Sequence, residues 1–191
     1  MSMQTTRAQG QAPKRHLHTV RDYYLMAQAG ILRPEDRTEL IDGEIIDMAP
    51  IGSAHASVVK KIVWQLQTQL LNQAILSVQD PIHLNDLSQP QPDIALLRPR
   101  PDFYRDAHPQ AADVLLLIEV ADSSLDYDRN TKLALYARHA IPEVWLVDLP
   151  ASRVERWQQP STKTYQTQDI LSGHVAPGLL PACGIDISAL F

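Results

Sequence analysis

The stretch VLLLIEVADSSLDYDRNTKLALYARHAIPEVWLVD, residues 114–148, decides the fold of this chain. Residues 114–121 are a continuous apolar run with one carboxylate, which is typical of a strand buried on both faces. Residues 133–140 repeat apolar side chains at helical spacing, and Pro142 predicts the end of that helix. Residues 144–147 form a second short apolar strand. The segment therefore predicts a strand–helix–strand unit, with two parallel strands joined by a right-handed crossover.

Glu119 is the one charged residue of the first strand. A buried carboxylate is costly unless a partner neutralises it. A metal ion or a lysine would do so, and Lys132 lies one helix away in the sequence. We therefore expect Glu119 to belong to an ion-binding or ion-paired site.

Length and composition indicate one globular domain, since the chain has 191 residues, of which 45% are apolar and 20% charged. Residues 1–16 are polar and aperiodic, so we predict a flexible tail followed by a single domain over residues 17–191. No apolar stretch reaches the ~18 residues of a membrane-spanning helix, so no contact with a membrane is expected. The single cysteine, Cys183, and the lack of a visible signal peptide favour a cytoplasmic location.

The net charge of −5 argues against a protein that coats nucleic acid with a broad basic face. It leaves open an enzyme that meets nucleic acid through a bound divalent cation and a few local Arg and Lys side chains.

Apolar segments bounded by turn residues predict further elements around the central unit. They are helices over 20–29 and 54–72, a hairpin turning at Asp42 and Gly43, strands over 74–78, 81–84 and 93–97, and a hairpin over 154–157 and 163–167. The apolar C-terminal segment is expected to dock on the core. The first helix is expected to begin after Thr19 and the second after Ser53, which are both good N-caps.

Two carboxylates fall on neighbouring predicted strands, Asp93 at the start of one and Glu119 within the next. Converging carboxylates provide the hard oxygen ligands that Mg²⁺ prefers, and this ion takes only one or two protein carboxylates and keeps several waters. The pattern therefore predicts a Mg²⁺ site. The Pro-rich loop 98–105 carries three arginines, and either contact with a phosphate backbone or an ordinary surface loop would explain it equally well.

The ordered set of motifs resembles the Uma2 family of restriction endonucleases, within the PD-(D/E)XK nuclease superfamily. The matching segments are ELIDGEI (39–45), His55 at the start of the long helix, QPDI (91–94), IEVADSS (118–124), YDRNTKLALYA (127–137) and IPEVWLVD (141–148). The resemblance implies an α/β fold with a restriction-endonuclease-like core, in which helices flank a mixed central sheet. An N-terminal helix-hairpin and a C-terminal hairpin complete the expected domain.

The resemblance also implies a role for each site residue. Asp93 of the PD motif and Glu119 would bind Mg²⁺ or Mn²⁺, with the backbone carbonyl of Val120 as a further ligand. The superfamily places a lysine two residues after the Glu, but that residue is Ala121 here. The family pattern places the lysine on the next helix instead, which makes Lys132 the predicted catalytic lysine.

Three further positions match the family, namely Glu39, Glu44 and His55. One glutamate would complete the site, and Glu44 is preferred because it lies closer in sequence to the long helix. His55 would contact a phosphate or transfer a proton. Asp128 is either the N-cap of the helix that carries Lys132 or a partner that fixes this lysine, with the cap preferred.

The sequence thus predicts a metal-dependent endonuclease that hydrolyses phosphodiester bonds of nucleic acid, with DNA preferred as the substrate. The alternative is a catalytically inactive module of the same fold that binds nucleic acid or a protein partner, which Ala121 and the acidic charge favour. A third interpretation is a purely structural pair, with Glu119 neutralised by Lys132. The apolar C-terminal segment also suggests a homodimer.

Overall fold

The computed structural model describes residues 14–33 and 35–191. The helices are α1 (Val20–Gln28), α2 (Ser53–Gln67), α3 (Leu125–Tyr127) and α4 (Leu133–Arg138). The strands are β1 (Thr38–Ile41), β2 (Glu44–Asp47), β3 (Ile75–Val78), β4 (Ile94–Leu97), β5 (Val114–Ala121), β6 (Glu143–Asp148), β7 (Arg153–Pro160), β8 (Tyr165–Leu171), β9 (His174–Val175) and β10 (Ile185–Asp186). A π-helical turn, Asp128–Lys132, joins α3 to α4, and 3₁₀ turns cover Ala111–Asp113 and Ile187–Ala189.

The central sheet has six strands in the order β3-β4-β5-β6-β7-β8. Strands β5 and β6 are parallel, with Leu117 opposite Val144, and the other neighbours are antiparallel. The sheet is therefore mixed, and the predicted strand–helix–strand unit is confirmed. All eight residues of β5 are buried, as expected for a strand covered on both faces.

Alternate residues of the central strands face two different apolar clusters. Ile118 and Val120 pack on the side of α2, which buries an apolar stripe against the sheet. Leu117 and Ala121 pack on the side of α4. Because side chains alternate along a strand, Glu119 shares the face of Leu117 and Ala121 and points toward the helix that follows β5.

Helix α2 is shorter than predicted, since it ends at Gln67 instead of residue 72. Its N-cap is Gly52 with no side-chain cap bond, so Ser53 is its first helical residue and the predicted Ser53 cap is wrong. Leu70, in the turn after the helix, is nevertheless buried with the helical stripe. The apolar periodicity therefore continues beyond the end of the helix.

The N-terminal helix and hairpin are confirmed. The side chain of Thr19 caps α1 and forms a reciprocal capping box with Asp22. At the hairpin turn, Asp42 and Gly43 have φ of 49° and 80°, the positive values that a type I′ turn requires. A side chain at Gly43 would also collide with Leu17, since an added Cβ would lie 2.6 Å from the Leu17 Cβ.

The segment 81–84, predicted as a strand, forms only isolated bridges. Ile82 donates its N–H to the carbonyl of Pro90, and His83 bridges Gln110. Pro81, Pro90 and Pro92 lack an N–H, so an extended ladder cannot form there. Strands β7 and β8 are confirmed and are longer than predicted.

The C-terminal segment docks on the core as predicted, since Leu180, Cys183, Ile185, Ile187 and Leu190 are all buried. Residues 1–13 of the predicted tail lie outside the described residues, and residues 14–16 have no regular secondary structure. Within the described ranges, no helix has the length and apolar character needed to cross a membrane. The single domain over 17–191, the cytoplasmic location and the homodimer stay predictions.

Candidate active site

All of the predicted site residues except Glu44 line one pocket of about 130 Å³. It lies where the chain enters β4, where β5 nears its end, and where α2 begins. Titratable side chains dominate its wall: Arg37, Glu39, Asp47, His55, Asp93, Glu119, Asp122, Tyr127, Asp128 and Lys132. The structure thus brings together residues that are up to 95 positions apart, from Arg37 to Lys132.

Asp93 is the residue just before β4, on the same face as Glu119. Its Oδ2 accepts a hydrogen bond from the N–H of Val120 at 2.9 Å and lies 3.0 Å from Nε2 of His55. Its Oδ1 accepts from the Gln79 amide at 3.1 Å. Burial acts to raise the pKa of Asp93, but the bonds and the charge of His55 outweigh it and lower this pKa below the ordinary value. Asp93 is therefore ionised at neutral pH.

His55 lies in the first turn of α2, and its Nε2 faces Asp93. The hydrogen bond with Asp93 raises the pKa of His55 above its ordinary value, against the opposing effects of burial and of Arg37. Its Nδ1 is buried and has no partner among the described residues. The Asp93 carboxylate therefore favours the protonated form of His55.

Glu119 is only 4% exposed and accepts two hydrogen bonds at the same oxygen. Its Oε1 lies 3.3 Å from Nζ of Lys132 and also accepts from the hydroxyl of Tyr136. Burial raises the pKa of Glu119 to about 8, an effect that Lys132 opposes and that Asp128, Asp93 and Glu39 reinforce. Asp128, Asp93 and Glu39 therefore make the surroundings of Glu119 negative, which favours a cation beside it.

Lys132 is the last residue of the π-helical turn and is 4% exposed. Its Nζ lies 3.1 Å from Oε2 of Glu39 as well as 3.3 Å from Glu119. Burial acts to lower the pKa of Lys132, but the carboxylates of Glu119 and Glu39 outweigh it and raise this pKa above the ordinary value. Lys132 is therefore a buried ammonium held between two carboxylates. π-Helical turns are frequent at functional sites, and this one carries both Asp128 and Lys132 into the pocket wall.

Glu39, and not the preferred Glu44, lies in the pocket. Glu39 is 3% exposed, and its Oε2 accepts from the N–H of Gln91 at 3.1 Å. The Glu44 side chain is half exposed and pairs with Arg15 at the surface. Tertiary packing explains this difference. Strand β1 is the strand of the hairpin that faces the core, since the Leu40 carbonyl accepts a hydrogen bond from the N–H of Gln89. Distance along the sequence to α2, which favoured Glu44, carries no information about this packing.

Asp128 is not a helix N-cap, contrary to the preferred interpretation. It lies inside a continuous helical run, because α3 precedes it and α4 follows the π-helical turn. Its Oδ2 accepts from the hydroxyl of Ser124 at 2.6 Å, and burial raises its pKa although Lys132 opposes this. Asp128 therefore belongs to the electrostatic surroundings of Lys132.

The arginine-containing loop 98–105 lies at the far end of β4. Four strand residues lie between Asp93 and Arg98, so these two residues are five steps apart, which corresponds to roughly 16 Å at ~3.3 Å per residue. Arg100 pairs with Asp102 at 2.6 Å and lies over the Tyr104 ring, with 4.5 Å from Cζ to the centroid. The loop therefore lies outside the candidate site, and both interpretations of it stay predictions.

The donor set suits a divalent metal ion of the Mg²⁺ type. Asp93 and Glu119 both line the pocket, their oxygens are hard ligands, and the excess of carboxylates favours a cation. Among residues 14–33 and 35–191, no group of three or more His, Cys, Asp or Glu side chains is arranged to hold a metal by itself. A Mg²⁺ ion in this pocket would therefore depend on one or two protein carboxylates, on waters and on the substrate. Val120 also lines the pocket, and its N–H is bonded to Asp93.

Sequence reasoning missed several residues of the site, and three of them have clear roles or positions. Tyr136 donates to Glu119, Gln91 bonds Glu39 through its backbone, and Arg37 lines the pocket. Tyr136 follows Lys132 by four residues, one helical turn, and that spacing was the signal that could have identified it. The positions of Gln91 and Arg37 depend on contacts between distant segments, for which the sequence has no local signal.

Comparisons with known proteins agree with this fold. A model of the Uma2 family, described as "Putative restriction endonuclease", matches residues 20–188. A solved structure, described as a putative nuclease belonging to DUF820 from Anabaena variabilis, is 17% identical and superposes with a TM-score of 0.69, covering 91% of this chain and 97% of that one. At this identity the likeness shows the fold alone, and it confirms the predicted α/β core. A search of curated proteins gave no match.

Proposed function

The chain belongs to the Uma2 family, whose description and fold indicate a restriction-endonuclease-like nuclease, and we propose that it is a divalent-metal-dependent endonuclease that cleaves DNA. One observation carries the proposal. Asp93 and Glu119 line the same pocket, and the ammonium of Lys132 reaches Glu119 at 3.3 Å from the following helix. The pair of carboxylates and the nearby lysine that such hydrolysis needs are thus together, although Ala121 replaces the lysine of the usual motif.

In the proposed site, Asp93 and Glu119 would hold Mg²⁺ or Mn²⁺, with the Val120 carbonyl as a further ligand. The bound cation would supply Lewis-acid polarisation of the phosphate and lower the pKa of a water molecule. Asp93 is kept ionised and oriented by His55 and by the Val120 N–H, so one carboxylate is ready to bind a cation.

Lys132 then acts on the phosphate and on the attacking water. Its ammonium is desolvated and held by Glu39 and Glu119, so its charge is fixed near the reacting groups and little screened. Water would add to phosphorus and release one proton to the solvent, one phosphorus–oxygen ester bond would break, and the sugar oxygen would leave and take up a proton. His55 in its protonated form would contact a phosphate oxygen or supply that proton.

A paired experiment tests this proposal. Mn²⁺ is titrated calorimetrically into the wild type and into the Asp93→Asn, Glu119→Gln double variant, and cleavage of duplex DNA, single-stranded DNA and RNA is followed with Mg²⁺, Mn²⁺ or EDTA. We expect Mn²⁺ binding and metal-dependent DNA cleavage in the wild type and neither in the double variant. The matched control, Asp102→Asn with Asp169→Asn, removes two surface carboxylates outside the pocket and should behave as the wild type.

The competing function is the catalytically inactive module. The existing pairing of Lys132 with Glu39 and Glu119 favours it, because these groups satisfy each other without a metal. A wild type that binds DNA but neither binds Mn²⁺ nor cleaves any of the three substrates would establish this function instead. Cleavage that persists in the double variant would refute the site assignment.

A further inference from the structure

A second cavity of about 560 Å³ adjoins the candidate active site. Arg37 and Gln91 line both cavities and therefore stand at their junction. The second cavity lies between α1 and β1, and its wall includes Tyr23, Tyr24 and Thr38. Its volume is within the ~300–1,000 Å³ of sites that hold small organic groups.

Arg37 is half-buried at this junction and its backbone is fixed. Its N–H donates to the carbonyl of Glu35 at 3.0 Å, and its carbonyl accepts from the N–H of Met48 at 2.8 Å. Within the described part of the chain, its guanidinium has neither a carboxylate within 4.0 Å nor a side-chain hydrogen bond. A partly buried guanidinium in this situation is available to bind an anion or water.

The neighbouring Arg33 shows the contrast. Its guanidinium forms two hydrogen bonds with Asp36, at 3.1 and 2.7 Å, so these two charges cancel at the rim of the same cavity. Asp36 neutralises the charge of Arg33, so Arg37 is the arginine of this cavity whose positive charge can bind an anion. Its charge also reaches the catalytic pocket, where it acts to lower the pKa of His55 against the stronger opposite effect of Asp93.

We propose that Arg37 binds a phosphate group of the nucleic acid substrate and that the adjoining nucleoside occupies the cavity lined by Tyr23 and Tyr24. The inference rests on the proposed function and deepens it, because it gives the direction in which the substrate strand leaves the catalytic pocket. A planar guanidinium matches two phosphate oxygens with two parallel hydrogen bonds.

The cavity suits a nucleoside in both volume and chemistry. Tyrosine rings stack on bases of any sequence. The hydroxyl of Tyr23 donates to the carbonyl of Thr38 at 2.9 Å, and the hydroxyl of Tyr24 accepts from the Gln89 amide at 2.6 Å. Both rings are therefore held in place before the substrate arrives, which lowers the entropic cost of binding.

The test measures binding without cleavage. Fluorescein-labelled duplex and single-stranded DNA oligonucleotides are titrated in EDTA with the Asp93→Asn protein, and anisotropy is recorded at several salt concentrations. Arg37→Gln in this background should weaken binding about tenfold and reduce the slope of log K against log salt by about 1. Arg37→Lys should lie between the two, and Tyr24→Ala should weaken binding with an unchanged salt slope. Lys163→Gln, which removes an exposed positive charge in the turn between β7 and β8, is the control and should change neither.

Thermal unfolding of each variant separates lost binding from lost structure. Binding by Arg37→Gln within twofold of its parent, with an unchanged salt slope, overturns the inference, and so does a parent protein that binds neither oligonucleotide. The two proposals fail differently. Binding that depends on Arg37 in a wild type that does not cleave removes only the nuclease proposal, whereas full cleavage by Arg37→Gln removes only the role of Arg37.

Discussion

Nζ of Lys132 lies 3.3 Å from Oε1 of Glu119, although the two residues are 13 positions apart in the chain. Glu119 is on β5, and Lys132 comes from the π-helical turn before α4, so the crossover that makes β5 and β6 parallel also brings these side chains together. Ala121, on the same face of the strand as Glu119, is packed in the apolar cluster beneath α4. The charge that a lysine at position 121 would supply from the strand is therefore supplied from the helix.

Lys132→Met should lower the free energy of unfolding by about 3–5 kcal/mol, because it leaves the buried carboxylates of Glu39 and Glu119 without their cation. Urea denaturation at neutral pH measures this loss. Adding Glu119→Gln should recover part of it, because it removes a buried acid that must otherwise stay charged without its cation or take up a proton. Lys163→Met, at an exposed position, is the control and should stay within about 0.5 kcal/mol of the wild type. A loss below about 1 kcal/mol for Lys132→Met would contradict a structural role for the ammonium.

Tyr127→Phe should leave stability unchanged or raise it slightly, because the Tyr127 hydroxyl is buried in the pocket wall with no partner among the described residues. Tyr136→Phe is the matched comparison. It removes the hydrogen bond to Glu119 and should cost about 1–3 kcal/mol. Urea denaturation of both variants and of the wild type measures the two changes in the free energy of unfolding. A loss for Tyr127→Phe as large as that for Tyr136→Phe would show that its hydroxyl is hydrogen-bonded in solution.

The elements with local signals were predictable from the sequence. The apolar run of β5, the helical spacing after Lys132 and the Asp42-Gly43 turn each report the conformation of their own residues, and all three are confirmed. Placing Asp93 beside Glu119 required only that their strands be neighbours, which the antiparallel β4–β5 pair satisfies.

The errors at the site have two causes, namely contacts between distant segments and an irregular helical turn. The choice of Glu44 over Glu39 failed because a hairpin has two arms, and only the packing of Leu40 against Gln89 determines which arm faces the core. Asp128 was assigned to a cap because Asp is common there, whereas a π-helical turn places it within the helical run. The same holds for Arg37, whose position follows from the hairpin and α1 packing around one cavity.

Cys183 should react with a thiol reagent only as fast as the C-terminal segment opens. Its side chain is fully buried and its Sγ donates to the carbonyl of Gln69 at 3.3 Å, while burial raises the pKa of the thiol above its ordinary value. Because the thiolate is the reactive form, the folded protein at mildly alkaline pH should be nearly inert to Ellman's reagent.

The sign of the pH effect on stability follows from the same shift in the pKa of Cys183. The unfolded chain loses the thiol proton at a lower pH than the folded chain, so this residue lowers stability as the pH rises through the ordinary cysteine range. Cys183→Ala should weaken that dependence, as measured by urea titrations across alkaline pH. Rapid modification of the native wild type at neutral pH would contradict the docking of the C-terminal segment.

Glu39→Gln and Glu44→Gln give the sharpest comparison of the two hairpin glutamates. Glu39 holds the ammonium of Lys132 at 3.1 Å, whereas Glu44 pairs with Arg15 at the surface. Loss of the Glu39 charge should reduce metal-dependent cleavage or Mn²⁺ affinity about tenfold, as expected when a group that orients a metal-site residue is removed. Glu44→Gln should match the wild type in both measurements. The opposite result, in which Glu44 is required and Glu39 is dispensable, would contradict this structure of the site. It would require the hairpin to pack with β2, and not β1, facing Lys132.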